Sequence, residues 1–121
     1  MSDVVGLPEL PQIDDDEMRA RLARIRSYSL VLLRHGPNYE RSDARGIIWE
    51  HGRRNMQLQD AGILSVVLPV RGDNDLAGIG VFGRSRDETT AIMNGDPAIA
   101  AGVLTAEVYE ASGFPGDTLL S

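Results

Sequence analysis

An α+β domain of βαββαβ order, preceded by one extra helix, is the fold class this sequence predicts, on three observations. Four β-rich apolar runs are spread along the chain, stretches of helix formers fall between them in a split pattern, and turn residues stand at the joints. With 121 residues, 42% hydrophobic and 25% charged, the chain has the size and composition of one globular domain. The order is the ferredoxin-like split βαβ arrangement: a four-stranded antiparallel sheet with helices on one face.

Val4 to Gln12, with Pro8 and Pro11 and no periodicity, is expected to be an arm or linker. From Asp14 an acidic run precedes Arg19, Arg21, Arg24 and Arg26, the charge order a helix dipole favours, so a helix is expected from about Asp15 to Ile25. Its thin stripe of Met18, Leu22 and Ile25 is expected to lie on the main body or on a second subunit. Residues 1–27 therefore read as arm and accessory helix, and residues 28–121 as the domain with a C-terminal tail.

Tyr28 to Leu33 is the first strand, stopped by His35-Gly36-Pro37. Asp43 to Ala61 is the main helix, closed at Gly62. Ile63 to Leu68 and Leu76 to Gly83 are the second and third strands, joined through Gly72-Asp73-Asn74-Asp75. Glycines at 78, 80 and 83 mark close backbone approach or bulges. Ser85 to Glu88 has the pattern of a capped helix start, and Asp96-Pro97 caps a further turn ending at Gly102. Val103 to Tyr109 is the fourth strand, and Ser112 to Ser121 an irregular tail. Helices cover one face only, so the other is expected to be buried by a second copy, giving a homodimer.

What is missing narrows the chemistry. The chain has no cysteine and no lysine, which removes a thiolate nucleophile, a cysteine-ligated metal, a disulfide, a Schiff-base lysine and a P-loop lysine. The two histidines, His35 and His51, have no metal-ligand spacing, so no bound metal is expected. A net charge of −6 with scattered arginines argues against nucleic acid. No apolar run approaches the roughly 20 residues that cross a bilayer, and the start lacks a secretory pattern, so a cytoplasmic location without membrane contact is expected.

Two stretches carry a resemblance to a family. One is the main helix, with His51 near its middle and Gly62 at its end, running straight into Ile63-Leu64; the other is Asp96-Pro97-Ala98-Ile99-Ala100-Ala101-Gly102-Val103. In this order and setting they are similar to the YCII-related family of small dimeric α+β barrel proteins, across most of residues 28 to 111. The resemblance implies that His51 and Asp96 meet in a pocket between sheet and helices. It also implies action on small organic molecules, such as ring-bearing acids and chlorinated hydroquinones, without metal or cofactor. The chain departs from the family at Val67-Leu68-Pro69-Val70, where Gly-Pro is usual, at Gly52 and Asn55, and in its N-terminal extension.

Alone, each residue has an ordinary reading. Asp96 before Pro97 is a helix cap, and an isolated helical histidine says little. Paired, they make a general acid/base: an aspartate bonded to one ring nitrogen leaves the other as proton acceptor. Arg34 at the end of the first strand is the first candidate for holding a substrate anion, with Tyr39 and Asn55 as further substrate-binding candidates. Arg41, Arg45 and Arg54 could serve in the same way but are equally expected to be solvated, and Trp49 reads as core or interface packing. The leading expectation is a lyase or isomerase moving a proton on a small molecule. The rival is a dimeric small-molecule binding or accessory protein without chemistry, and a third reading is a structural partner that acts through the N-terminal helix.

Overall fold

The computed structural model describes residues 6–121. Met1 to Asp3, and Val4 and Val5 of the expected arm, lie outside the described residues. Residues 6–14 form no helix or strand and are exposed. The elements are α1 (Asp15–Leu22), β1 (Arg26–His35), α2 (Ala44–Asp60), β2 (Leu64–Pro69), β3 (Leu76–Phe82), α3 (Arg86–Asn94), α4 (Pro97–Ala100) and β4 (Leu104–Gly113). The sheet order is β2-β3-β1-β4 with every pairing antiparallel, the ferredoxin-like arrangement that the sequence predicts.

Local chemistry explains the helix ends. Asp14 caps α1 by accepting from Glu17 N at 2.8 Å, and Ser85 and Glu88 form a reciprocal capping box on α3. Helix α2 ends at Gly62, whose φ of 74° lies in the left-handed region that favours glycine. Asp43 at the front of α2 makes no cap bond. Its carboxylate is taken by Arg41 through two bonds of 3.0 and 2.8 Å.

The core lies between the sheet and α2, α3 and α4. Strand β1 sends Ser29, Val31 and Leu33 to that side, where they meet Phe82, Leu64, Met93, Ala98 and Val103. Its other face carries Leu30 and Leu32, paired in register with Val81 and Ile79 on β3 and with Tyr109 and Glu107 on β4. Both faces of the central strand are apolar, and helices cover one of them.

Three expectations change. Helix α1 stops at Leu22, and its stripe is not buried within one protomer: Met18, Leu22 and Ile25 remain exposed beside the C-terminal tail. Strand β4 runs on to Gly113 because β1 begins at Arg26 and the two pair along their whole length. Trp49 is 68% exposed, so it is not core; it sits on the side of α2 away from the buried positions Ala44, His51 and Asn55. The glycines of β3 do mark close approach, since a Cβ at Gly78 would lie 3.3 Å from Leu68 O and one at Gly80 3.2 Å from the Phe82 ring.

Candidate active site

The buried face of α2 is not wholly apolar. Ala44, Ile47, Ile48 and Leu58 point at the core, but the stripe is interrupted by His51 and Asn55, 8% and 9% exposed. A buried polar pair in an apolar stripe needs partners. Asn55 Nδ2 lies 3.2 Å from His51 Nε2, one helical turn away, and His51 Nδ1 lies 2.7 Å from Asp96 Oδ2.

Asp96 is 0% exposed, and its two oxygens have separate tasks. As the cap of α4, Oδ1 accepts from Ala98 N at 2.8 Å, while Oδ2 faces the imidazole. Burial is the strongest single influence on this carboxyl and works against ionisation. The His51 N–H, the charge of His51, the Ala98 amide and the Arg54 guanidinium together outweigh it and hold the group below the usual aspartate value. An ionised carboxylate can only accept, so His51 Nδ1 donates to it, and in the neutral ring Nε2 keeps its lone pair, directed at the Asn55 amide.

His51 and Asn55 form part of the wall of a pocket of about 350 Å³, which also involves Leu33 and Ile48, Val67 and Pro69 of β2, and Gly78 of β3. Asp96 lies behind the ring and does not line the cavity, so the ring edge turned to the pocket is the one bearing Nε2. The missing side chain at Gly78 leaves room in the floor, since a Cβ there would reach within 3.8 Å of Leu33 Cδ1. At the rim, Tyr39 stacks on His35 with ring centroids 3.7 Å apart and planes 13° from parallel. Their loop is tied down by Gly36 N to Val103 O and Asn38 N to Gly102 O, both 2.9 Å.

The structure thus brings His51, Asp96 and Asn55 together and puts Tyr39 on the same cavity. Arg34 is elsewhere, and its expected place at the pocket mouth is corrected. Leu33 points to the helices, so strand alternation sends Arg34 to the open face, where Nε bonds Glu107 at 2.5 Å and Nη1 bonds Asp75 at 3.3 Å. Sequence reading underrated two residues. His35, a turn residue first, forms part of the rim, and Arg54, open between the pocket mouth and solvent in the sequence, has Nη1 3.8 Å from Asp96 Oδ2. The spacing of Arg54 three residues after His51 was the available signal. Among the described residues no group of three or more metal-ligating side chains comes together, and no helix is long and apolar enough to cross a membrane.

No family model matches the chain, and no curated protein matches it. A solved structure does: the 5-chloro-2-hydroxyhydroquinone dehydrochlorinase of Burkholderia phenoliruptrix, in complex with 2,5-dihydroxybenzoquinone. The match covers 68% of this chain and 90% of that one, with 16% identity and a TM-score of 0.50. At that identity the likeness concerns the fold, and it agrees with the α+β arrangement of sheet and helices described above.

Proposed function

We propose that this chain is a small-molecule enzyme of lyase or isomerase type, moving a proton without a cofactor, with His51 as general acid/base and Asp96 as the group that orients it. The reading includes membership of the YCII-related proteins that the sequence resembles. One observation carries it: the 2.7 Å contact between His51 Nδ1 and a fully buried Asp96 carboxylate, beside an apolar cavity. With Nδ1–H held, Nε2 takes a proton from a substrate C–H or O–H, and the resulting imidazolium faces the carboxylate behind it. The proton then returns to another substrate atom or to a leaving group. Asn55 and Tyr39 are the candidates for holding a substrate oxygen, and a cavity of this volume and lining suits a flat ring bearing a few oxygens.

The neighbour's ligand, 2,5-dihydroxybenzoquinone, is such a ring and serves as the first probe. Calorimetric titration of wild type and His51→Ala with it, beside a chloride-release assay on 5-chloro-2-hydroxyhydroquinone, tests the reading. Turnover lost with binding kept in His51→Ala supports catalysis; wild type that binds without turnover removes it. The alternative, a binding protein without chemistry, is favoured by one feature: Asn55 already occupies the lone pair of Nε2.

Assembly as a homodimer through the open sheet face belongs to the same proposal. Leu30, Leu32, Ile79 and Val81 lie there, half-buried and with no helix above them. Sedimentation of wild type and Leu32→Glu decides it, since a monomeric wild type removes the dimer.

A further inference from the structure

Three observations converge on Arg54. Its Nη1 is buried and has no hydrogen-bond partner among the described residues, although a guanidinium N–H left unpaired in the interior is costly. That nitrogen faces Asp96 Oδ2 at 3.8 Å, the same oxygen that His51 holds at 2.7 Å. The guanidinium also lies against Gly95, where a Cβ would come within 3.0 Å of Nη2. Gly95 has an ordinary helical φ of −86°, so the backbone would accept another residue there; what the position supplies is space for the arginine.

We propose that Arg54 is the third member of the site, a positioning residue whose guanidinium, seated over the bare backbone of Gly95, sets its charge against Asp96 Oδ2 and holds that carboxylate on the His51 ring. The inference rests on reading His51 and Asp96 as a functional pair, and it assigns the cation that pair requires. Over a cycle of proton transfer the imidazole alternates between neutral and cationic. While it is neutral, Arg54 is the full positive charge that faces the buried carboxylate. With the cation in place, the carboxylate stays anionic and directed at Nδ1 in both halves of the cycle, so the free lone pair stays on Nε2. His51 and Arg54, both from α2, are the titratable side chains that face Asp96; α3 and β4, which also pack on α4, present none to it among the described residues.

The test reads the carboxyl directly. The ¹³C signal of the Asp96 carboxyl is followed against pH in the full chain for wild type, Arg54→Gln, Arg54→Lys and Gly95→Ala. Arg54→Gln is expected to move the midpoint upward by about one pH unit, the usual effect of removing an opposite charge at this range, and Arg54→Lys to restore most of it. Gly95→Ala is expected to shift the midpoint in the same direction by less, because it displaces the guanidinium without deleting it. That variant also answers the question if Arg54→Gln does not fold. An unmoved midpoint in Arg54→Gln, or a lysine variant indistinguishable from the glutamine one, overturns the assignment. No ligand is needed, so a wild type without turnover would defeat the proposed function and leave this result standing.

Discussion

Replacing Asp96 by Asn separates the two tasks of that side chain. Asparagine is as good a helix cap as aspartate, so the bond from Ala98 N to Oδ1 is expected to survive. What goes is the charge on the oxygen that accepts from His51 Nδ1 at 2.7 Å. Hydrogen bonds to a charged group contribute about 1.5–3 kcal/mol, so Asp96→Asn should destabilise the chain by about 2 kcal/mol near neutral pH. For a domain of this length that corresponds to a melting temperature lower by about 8 °C. The pH dependence has a definite sign. The carboxyl titrates lower in the fold than in the unfolded chain, so its contribution is present above the unfolded value of about 3.9 and is lost as pH falls through the lower folded value. Urea unfolding followed by circular dichroism should therefore give a gap between wild type and variant that holds from about pH 7 to about pH 5 and narrows below about pH 4. Function should respond in parallel. On the proposed function, an asparagine amide donating to Nδ1 puts the ring proton on Nε2, takes the base from the pocket and lowers turnover about 100-fold or more. Equal stability near neutral pH, or a gap undiminished at about pH 2.5, would refute the reasoning.

Two further perturbations probe the frame of the site and the open face of the sheet. Gly36→Ala would place a Cβ 2.3 Å from Gly102 O and 2.9 Å from its carbonyl carbon, backbone atoms that cannot swing aside. A loss of about 3 kcal/mol in urea unfolding is expected, and a fully stable variant would contradict the packing. Tyr109→Phe removes the hydroxyl that donates to Glu107 Oε2 at 2.6 Å. That bond, ahead of Arg34, holds the Glu107 carboxyl below its usual range, so its ¹³C titration should move upward in the variant, and an unchanged curve would count against the network.

The legible parts of this molecule were those fixed by short-range chemistry. The caps at Asp14, Ser85 and Asp96, the stop at Gly62 and the apolar runs mark the elements in order, and their alternation was enough for the sheet and its topology. The His51–Asp96 contact was expected through family resemblance, since nothing local in 45 residues of separation brings the two together. Arg34 failed for a physical reason. Strand β1 is apolar on both faces, with Leu30 and Leu32 on one and Val31 and Leu33 on the other, so sequence alone did not fix which way Arg34 points. The sequence leaves Arg54 open between the pocket mouth and solvent, because its environment exists only where α2 packs on the short α4. The α1 stripe is apolar as expected, but among the described residues nothing buries it fully.

The geometry also explains how a single turn of helix, α4, holds a buried carboxylate in place. Pro97 pre-sets the first helical φ, and Asp96 behind it is extended at φ −77° and ψ 133°, the backbone a cap requires. Ala98 and Val103, both 0% exposed, seal the turn against the core, so neither it nor the cap has room to shift. One oxygen is then spent on Ala98 N, and the second can point only where the side-chain plane directs it, at Nδ1 of His51. A residue chosen purely to start a helix would satisfy the first bond and leave the second oxygen to water. Here that oxygen is fully buried, its desolvation offset by an imidazole and a guanidinium from one face of α2, an arrangement that the start of a four-residue helix does not call for.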